Sequence, residues 1–265
     1  MRENVLRIED EGSVRVLVLD RPAARNALSG ELITALYQAL ADADADESVD
    51  ALVLTGADPA FCAGVDLKQA AREGAAYFAR FRTENCVARV AQVRKPVIGA
   101  VNGPAFTGGL ELALGCDFLV ASERASFADT HARVGVLPGG GLTARLPHLV
   151  GPGMARRMSM TGELVDARRA ERIGLVTEVV PHGELRGRAI ALAAAATEIP
   201  PSSLRALKAL YVTGARPLVD PALAAEAEAG RTHAPDYTAL ERRRRKVTAR
   251  NRAQLGGALP TPPSH

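Results

Sequence analysis

Lys95-Pro96-Val97-Ile98-Gly99-Ala100-Val101-Asn102-Gly103-Pro104-Ala105-Phe106-Thr107-Gly108-Gly109-Leu110-Glu111-Leu112-Ala113-Leu114-Gly115-Cys116-Asp117-Phe118-Leu119-Val120 fixes the reading of the chain around it. Val97 to Val101 is a short apolar, β-prone run, Asn102-Gly103-Pro104 is a turn, and Gly108-Gly109 opens an apolar segment with the character of a buried helix. A strand therefore feeds a helix whose first turn carries a single carboxylate, Glu111. Free N–H groups at a helix N-terminus carry partial positive charge, and glycine there admits a ligand close to the backbone. Gly108 N–H thus suits a developing oxyanion, and Glu111 returns to the same side of the helix about one turn later. A glycine-rich turn with a Glu that only complements the helix dipole has the same local pattern.

A second stretch adds chemistry. Phe61-Cys62-Ala63-Gly64-Val65-Asp66-Leu67-Lys68 follows the apolar run Ala51 to Leu54 and the turn-like Thr55-Gly56-Ala57-Asp58-Pro59. Together, F-x-A-G-x-D-L and the later V-N-G-x-A-x-G-G-x-E-L resemble the enoyl-CoA hydratase/isomerase, or crotonase, family. Arg21-Pro22-Ala23-Ala24-Arg25-Asn26-Ala27-Leu28 resembles its N-terminal signature, and Phe127 to Gly141 its F-x-x-x-x-x-x-x-G-x-x-P-G-x-G-G region. The resemblance spans almost the whole chain. It implies an α/β fold, a crotonase (ClpP-like) spiral of ββα units over residues 1–199. A C-terminal helical oligomerisation region over 200–265 follows. One fold of this kind hosts several reactions, so the motifs indicate a family and not a reaction.

The resemblance also assigns roles. Val65 N–H and Gly108 N–H are the expected oxyanion-hole donors for a thioester carbonyl, and Glu111 is the first of two glutamates found in family hydratases. Those glutamates hold a water between them, one accepting its proton and one supplying a proton to the α-carbon. The second belongs four residues before Gly135, where this sequence has His131. An imidazole works as acid or base near neutrality, so His131 is a candidate replacement. Asp129 either supplies the missing carboxylate, orients His131 or caps a local turn, and the turn is the preferred reading. Ala63, Asp66, Leu67 and Lys68 match positions lining the family's coenzyme A surface. Lys68 and, more weakly, Arg25 are candidates for a phosphate; a solvated lysine at a helix start is the other reading of Lys68.

The leading expectation is hydration of a 2-enoyl-CoA, with coenzyme A as part of the substrate, no separate cofactor and no metal. A CoA-thioester hydrolase or decarboxylase of the same fold is the enzyme alternative, and a fold-retaining binder without catalysis is another. Isomerisation ranks lower, because family isomerases using one carboxylate generally keep the one lost here.

Composition supports an ordinary soluble enzyme. The 265 residues are 47% hydrophobic and 24% charged, with a net charge of +3. No apolar run approaches a membrane span, and Met1 to Asp10 lacks a signal-peptide core, giving a cytoplasmic expectation. The three cysteines, Cys62, Cys86 and Cys116, have no metal-like spacing and are too few and odd for a disulfide framework. Absence of Trp removes the usual stacking platform for nucleic acid.

Around the central motifs, Val14 to Leu19 reads as a strand, and Ser29-Gly30 starts a helix with Ile33, Leu36, Tyr37 and Leu40 on one face. Ala70 to Ala91 reads as a helix, either packed loosely over a substrate tail, as the family resemblance implies, or an ordinary amphipathic helix. Gly135 to Thr143 is a glycine-rich turn entering a helix; without Gly-Lys-Ser/Thr it is no phosphate loop. Thr161 to Ala170 resembles a family helix, followed by a strand from Gly174 to Val180. Leu185 to Ala196 is a helix stopped by Pro200-Pro201, and Leu204, Leu207, Lys208 and Tyr211 keep helical spacing. The family implies a homotrimer or homohexamer through this region. Arg242 to Arg245, Lys246, Arg250 and Arg252 form a basic run that reads as a solvated face or as cations near a neighbouring subunit's substrate, ahead of an RNA-binding surface. Pro260 to His265 reads as a frayed tail.

Overall fold

The computed structural model describes residues 4–233 and 235–256, so the expected C-terminal tail lies outside the described residues. Two sheets organise the chain. The large sheet has order β1-β2-β3-β4-β6-β9 and the small one β5-β7-β8. Their strands are β1 Leu6–Glu11, β2 Val14–Leu19, β3 Ala51–Gly56, β4 Val97–Val101, β5 Pro104–Phe106, β6 Phe118–Ser122, β7 Ser126–Ala128, β8 Val165–Asp166 and β9 Glu178–Val180. The helices are α1 Gly30–Ala45, α2 Leu67–Glu73, α3 Ala75–Thr83, α4 Cys86–Gln92, α5 Gly108–Gly115 and α6 His131–Val134. They continue as α7 Leu142–Val150, α8 Pro152–Thr161, α9 Ala167–Arg172, α10 Leu185–Thr197, α11 Pro201–Thr232 and α12 Tyr237–Gly256.

From β2 onward the large sheet is parallel, and only the edge strand β1 runs antiparallel. Parallel strands covered on both faces need apolar residues at every position. The alternation divides them cleanly. Leu17, Leu19, Leu52 and Leu54 join the main core with Leu32, Leu36 and Leu40 of α1. Val16, Val18, Val53, Ile98 and Val120 face the other way, beneath Leu185, Ala189 and Ala193 of α10. Each fully buried leucine contributes about 1.5–3 kcal/mol. Ser29 caps α1, accepting from Leu32 N–H at 3.2 Å.

The expected ββα spiral is present. In β4-β5-α5 and again in β6-β7-α6 the chain leaves the large sheet, adds a short strand to the small one, and turns into a helix.

Three local expectations change. Ala70 to Ala91 is not one loose helix but parts of α2, α3 and α4, broken at Gly74 (φ +57°) and recapped by Asn85. Tyr77 is fully buried there, its hydroxyl donating to Leu28 O and accepting from Asp66 N–H at 3.1 Å. Thr161 to Ala170 is not one helix: α8 ends at Thr161, Gly162 turns left-handed, and α9 starts at Ala167 under an Asp166 cap. The strand expected from Gly174 forms only at Glu178–Val180. The helix expected over Leu185 to Ala196 does end before Pro200-Pro201, and the helical spacing from Leu204 belongs to α11, which Pro201 opens.

The loop between β2 and α1 is pinned by Asn26. It is wholly buried at φ +55°, accepts from Arg21 N–H at 2.9 Å, and donates to Ala57 O at 2.8 Å and Ala60 O at 2.6 Å. Asn26→Ala would leave those backbone groups unpaired inside the protein and is expected to cost about 3 kcal/mol. The urea unfolding midpoint measures it; an unchanged midpoint would refute this role.

Candidate active site

Two backbone segments meet at the centre of the molecule. Cys62 N–H donates to Pro104 O at 3.1 Å and Phe106 N–H to Cys62 O at 3.0 Å, tying the loop before α2 to β5. Next along that loop, Leu28 N–H donates to Gly64 O and Asp66 N–H to Leu28 O, so the intervening Val65 N–H points away from Leu28. Gly64, at φ +90°, lies so near the start of α5 that a Cβ there would stand 1.8 Å from Thr107 Oγ1 and 3.1 Å from Gly108 N. Among the described residues neither Val65 N–H nor Gly108 N–H donates a hydrogen bond. Two unpaired donors stand side by side.

Thr107 carries strain that supports this approach. A β-branched residue at φ +51°, ψ −118° occupies glycine territory, at a cost of about 1–3 kcal/mol. Its N–H donates to Ala128 O at 3.0 Å and its hydroxyl to Phe106 O at 2.7 Å.

Register places the acid/base groups. In the small sheet Phe106 of β5 pairs with Ala128 of β7, so the loops leaving the two strands emerge together. One leads to Glu111, the other to Asp129 and His131. His131 Nε2 stands 3.6 Å from Glu111 Oε2, and His131 Nδ1 is 2.7 Å from Asp129 Oδ1. Asp129 Oδ1 also accepts His131 N–H at 3.0 Å, so the carboxylate both makes the expected turn and orients the ring. Glu111 Oε1 accepts from Gly140 N–H at 2.8 Å and, more weakly, Gly139 N–H at 3.2 Å. All three residues are at most 5% exposed.

Burial and neighbours set the protonation. Burial pushes Glu111 above its ordinary value, and Glu226 and Asp129 add to this against the nearby His131 and Gly140 N–H. Burial opposes the charged form of His131, but Glu111, the Asp129 hydrogen bond and Glu226 outweigh it and raise the imidazole. For Asp129, burial is likewise the largest influence and is overcome by His131, which leaves its carboxyl low.

A cavity of about 80 Å³ adjoins these groups. Ala63, Val65, Leu67, Phe106, Thr107 and His131 are among the residues that line it, and Glu111 adjoins the wall through His131, with Oε2 3.6 Å from its Nε2. Arg244, Val247, Thr248 and Asn251 of α12 close it. Arg244 stood out in the sequence only as part of the basic run, and Val247, Thr248 and Asn251 gave no signal, because a helix so rich in Arg has no apolar stripe pointing to a pocket. The remaining expected residues behave differently. Asp66 caps α2 through Gln69 N–H at 3.1 Å and pairs with Arg21 at 3.2 Å, so its carboxylate is engaged in the fold. Lys68 and Arg25 are exposed, outside the cavity wall. Of the basic run, Arg244 and Arg245 pair with Glu241, and Arg250 reaches Thr161 O. Among the described residues no group of three or more His, Cys, Asp or Glu is placed to hold a metal ion.

A family model for enoyl-CoA hydratase/isomerase matches residues 9–242. The chain belongs to this family. A crystal structure of an enoyl-CoA hydratase from Mycobacterium smegmatis is 48% identical, covers 86% of this chain and 96% of that one, and superposes with a TM-score of 0.77. One from Mycobacterium avium is 46% identical, covers 93% and 100%, and gives 0.78. A crotonyl-CoA hydratase of Syntrophomonas wolfei is 36% identical over 230 residues, 86% of this chain and 88% of that protein.

The close approach at Gly64 is testable by stability. Gly64→Ala combines an unfavourable φ with a backbone collision and is expected to cost more than about 3 kcal/mol. Gly74→Ala, also at positive φ but with nothing within 4 Å, should cost only about 1–2 kcal/mol. Equal losses in thermal unfolding would show that the contact with Thr107 and Gly108 carries no weight.

Proposed function

We propose that the protein is an enoyl-CoA hydratase-like lyase that adds water across the double bond of a 2-enoyl-CoA, with an Asp129-supported His131 in place of a second glutamate. The observation that carries this is the Asp129–His131–Glu111 chain beside the Val65 and Gly108 N–H groups.

In this reading the thioester carbonyl accepts from Val65 N–H and Gly108 N–H. These donors stabilise the enolate that forms as the β-carbon is attacked, each typically worth about 3 to 4 kcal/mol of barrier. Glu111 is anchored through Oε1 and turns Oε2 toward His131. A water oxygen about 2.8 Å from both Oε2 and Nε2 fits beside a pair 3.6 Å apart. Glu111 takes its proton while the water oxygen bonds to the β-carbon. His131, held as imidazolium by Asp129, gives its Nε2 proton to the α-carbon. Transfer of the proton from Glu111 to His131 then resets the pair. Atoms balance without a redox partner, and coenzyme A enters only as part of the substrate.

The same reading takes the exposed Leu210, Tyr211 and Leu218 of α11 as support for the homotrimer or homohexamer implied by the family resemblance. The pairing of Arg244 and Arg245 with Glu241 favours the solvated-face reading of the basic run over an RNA surface. Among the described residues no helix is long and apolar enough to cross a membrane; the cytoplasmic placement is part of the proposal.

Loss of enoyl absorbance with crotonyl-CoA tests the reaction. Glu111→Gln and His131→Ala should each lower kcat by roughly 10²–10⁴-fold while CoA binding persists. A wild type that binds but never hydrates would overturn the proposal, and release of free thiol or CO2 would then identify a hydrolase or decarboxylase. The pH profile gives an independent check. The active pair shares one proton, and its loss limits the rate at high pH, above the ordinary imidazole value of about 6.5. Asp129→Asn removes groups that raise His131 and lets burial pull it down, so the alkaline limb should move to lower pH. A limb that stays in place or moves up would contradict the assignment.

A further inference from the structure

α11 is a 32-residue helix in which only Leu204 and Glu226 are buried. A carboxylate is an unexpected choice for a buried position on an otherwise exposed helix, and its contacts explain it. Glu226 Oε2 accepts Gly141 N–H at 2.7 Å, while Oε1 accepts Thr143 N–H at 2.7 Å and Thr143 O–H at 2.6 Å. These groups form the N-terminus of α7. The residue at its cap, Gly141, has φ +101° and no side chain to offer, so Glu226 supplies the cap from a distant part of the chain.

The same turn holds Glu111. Gly139, Gly140 and, at 3.4 Å, Leu142 N–H point to Glu111 Oε1, while Gly141 and Thr143 N–H, on either side of Leu142, point to Glu226. The fit is close on the Glu111 side. A Cβ on Gly140 would stand 2.9 Å from Glu111 Cδ and 2.4 Å from Val87 Cγ1. Arg145 fastens the turn from within, its Nη1 donating to Gly140 O at 2.8 Å. A turn with five consecutive residues shared between two carboxylates cannot shift under one without moving the other.

We propose that Glu226 is a positioning residue for Glu111: by capping α7 it fixes the Gly139–Thr143 turn whose N–H groups aim the Glu111 carboxylate at His131. The C-terminal helical region is then a component of the acid/base machinery as well as an oligomerisation element. A further consequence concerns charge. Glu111 faces His131 and Asp129 from the β7 side, Arg145 from α7 and Glu226 from α11, and Glu226 is among the groups that raise Glu111 and His131.

The experiment compares wild type, Glu226→Ala and Glu226→Gln in crotonyl-CoA hydration, with thermal unfolding and a carbon-13 NMR titration of the Glu111 carboxyl measured alongside. Glu226→Ala frees the turn and is expected to lower kcat by about 10- to 100-fold with KM changed less than about threefold, as for a displaced catalytic group. Glu226→Gln keeps an acceptor for Thr143, so it should retain more activity than Glu226→Ala. Having lost the charge, it should also shift the Glu111 carboxyl titration to lower pH. The NMR arm reads Glu111 directly, so it stands even if the substrate is not crotonyl-CoA. Variants that lose thermal stability while keeping the wild-type kcat, or the wild-type Glu111 titration, would reduce Glu226 to a structural cap and overturn the proposal.

Discussion

A carboxylate enclosed by protein must exchange its water for fixed partners, and the site is built around that exchange at Glu111. Its charged form is opposed by burial. The compensation comes from backbone N–H groups on one oxygen and from an imidazole facing the other. Each partner imposes a further requirement. The N–H groups require the Gly139–Thr143 turn to lie against α5, which a side chain at Gly140 would prevent. The imidazole requires its own counter-charge, and Asp129 supplies it two residues away while also forming the turn that opens α6.

The small sheet makes these partners neighbours. Pairing of Phe106 with Ala128 aligns two strand ends, and the loops beyond them carry Gly108 and Glu111 on one side and Asp129 and His131 on the other. The large sheet sets the direction from which both loops arrive. Its continuous apolar strands are sealed by α1 below and α10 above, leaving the strand ends as the place where polar backbone is free to meet substrate. Thr107 shows the cost of the arrangement, with a β-branched residue kept at positive φ where the two backbones touch.

Much of this is written locally in the chain. The apolar runs of β2, β3 and β4, the Ser29 cap and the glycines flanking Glu111 each carry their meaning within a few residues. So did the departure at His131. What was not legible depends on partners distant in sequence. Leu6–Glu11 alternates charge with a few apolar residues and becomes a strand only because β2 offers an antiparallel edge. Asp129 reads as a turn residue until the ring of His131 is seen on the same oxygen. Glu226 sits in an alanine-rich helical stretch with nothing nearby to mark it, since its hydrogen bonds reach more than eighty residues back. The α12 side chains closing the cavity were hidden for the same reason.

The central claim is that Asp129 keeps His131 positively charged beside Glu111, so that an imidazolium does what a second carboxylic acid would do. Nitrogen-15 NMR of the His131 ring measures that charge directly. The account predicts a titration midpoint above the ordinary value of about 6.5 that falls in Asp129→Asn. A midpoint at or below about 6.5 that is unaffected by Asp129→Asn would contradict it.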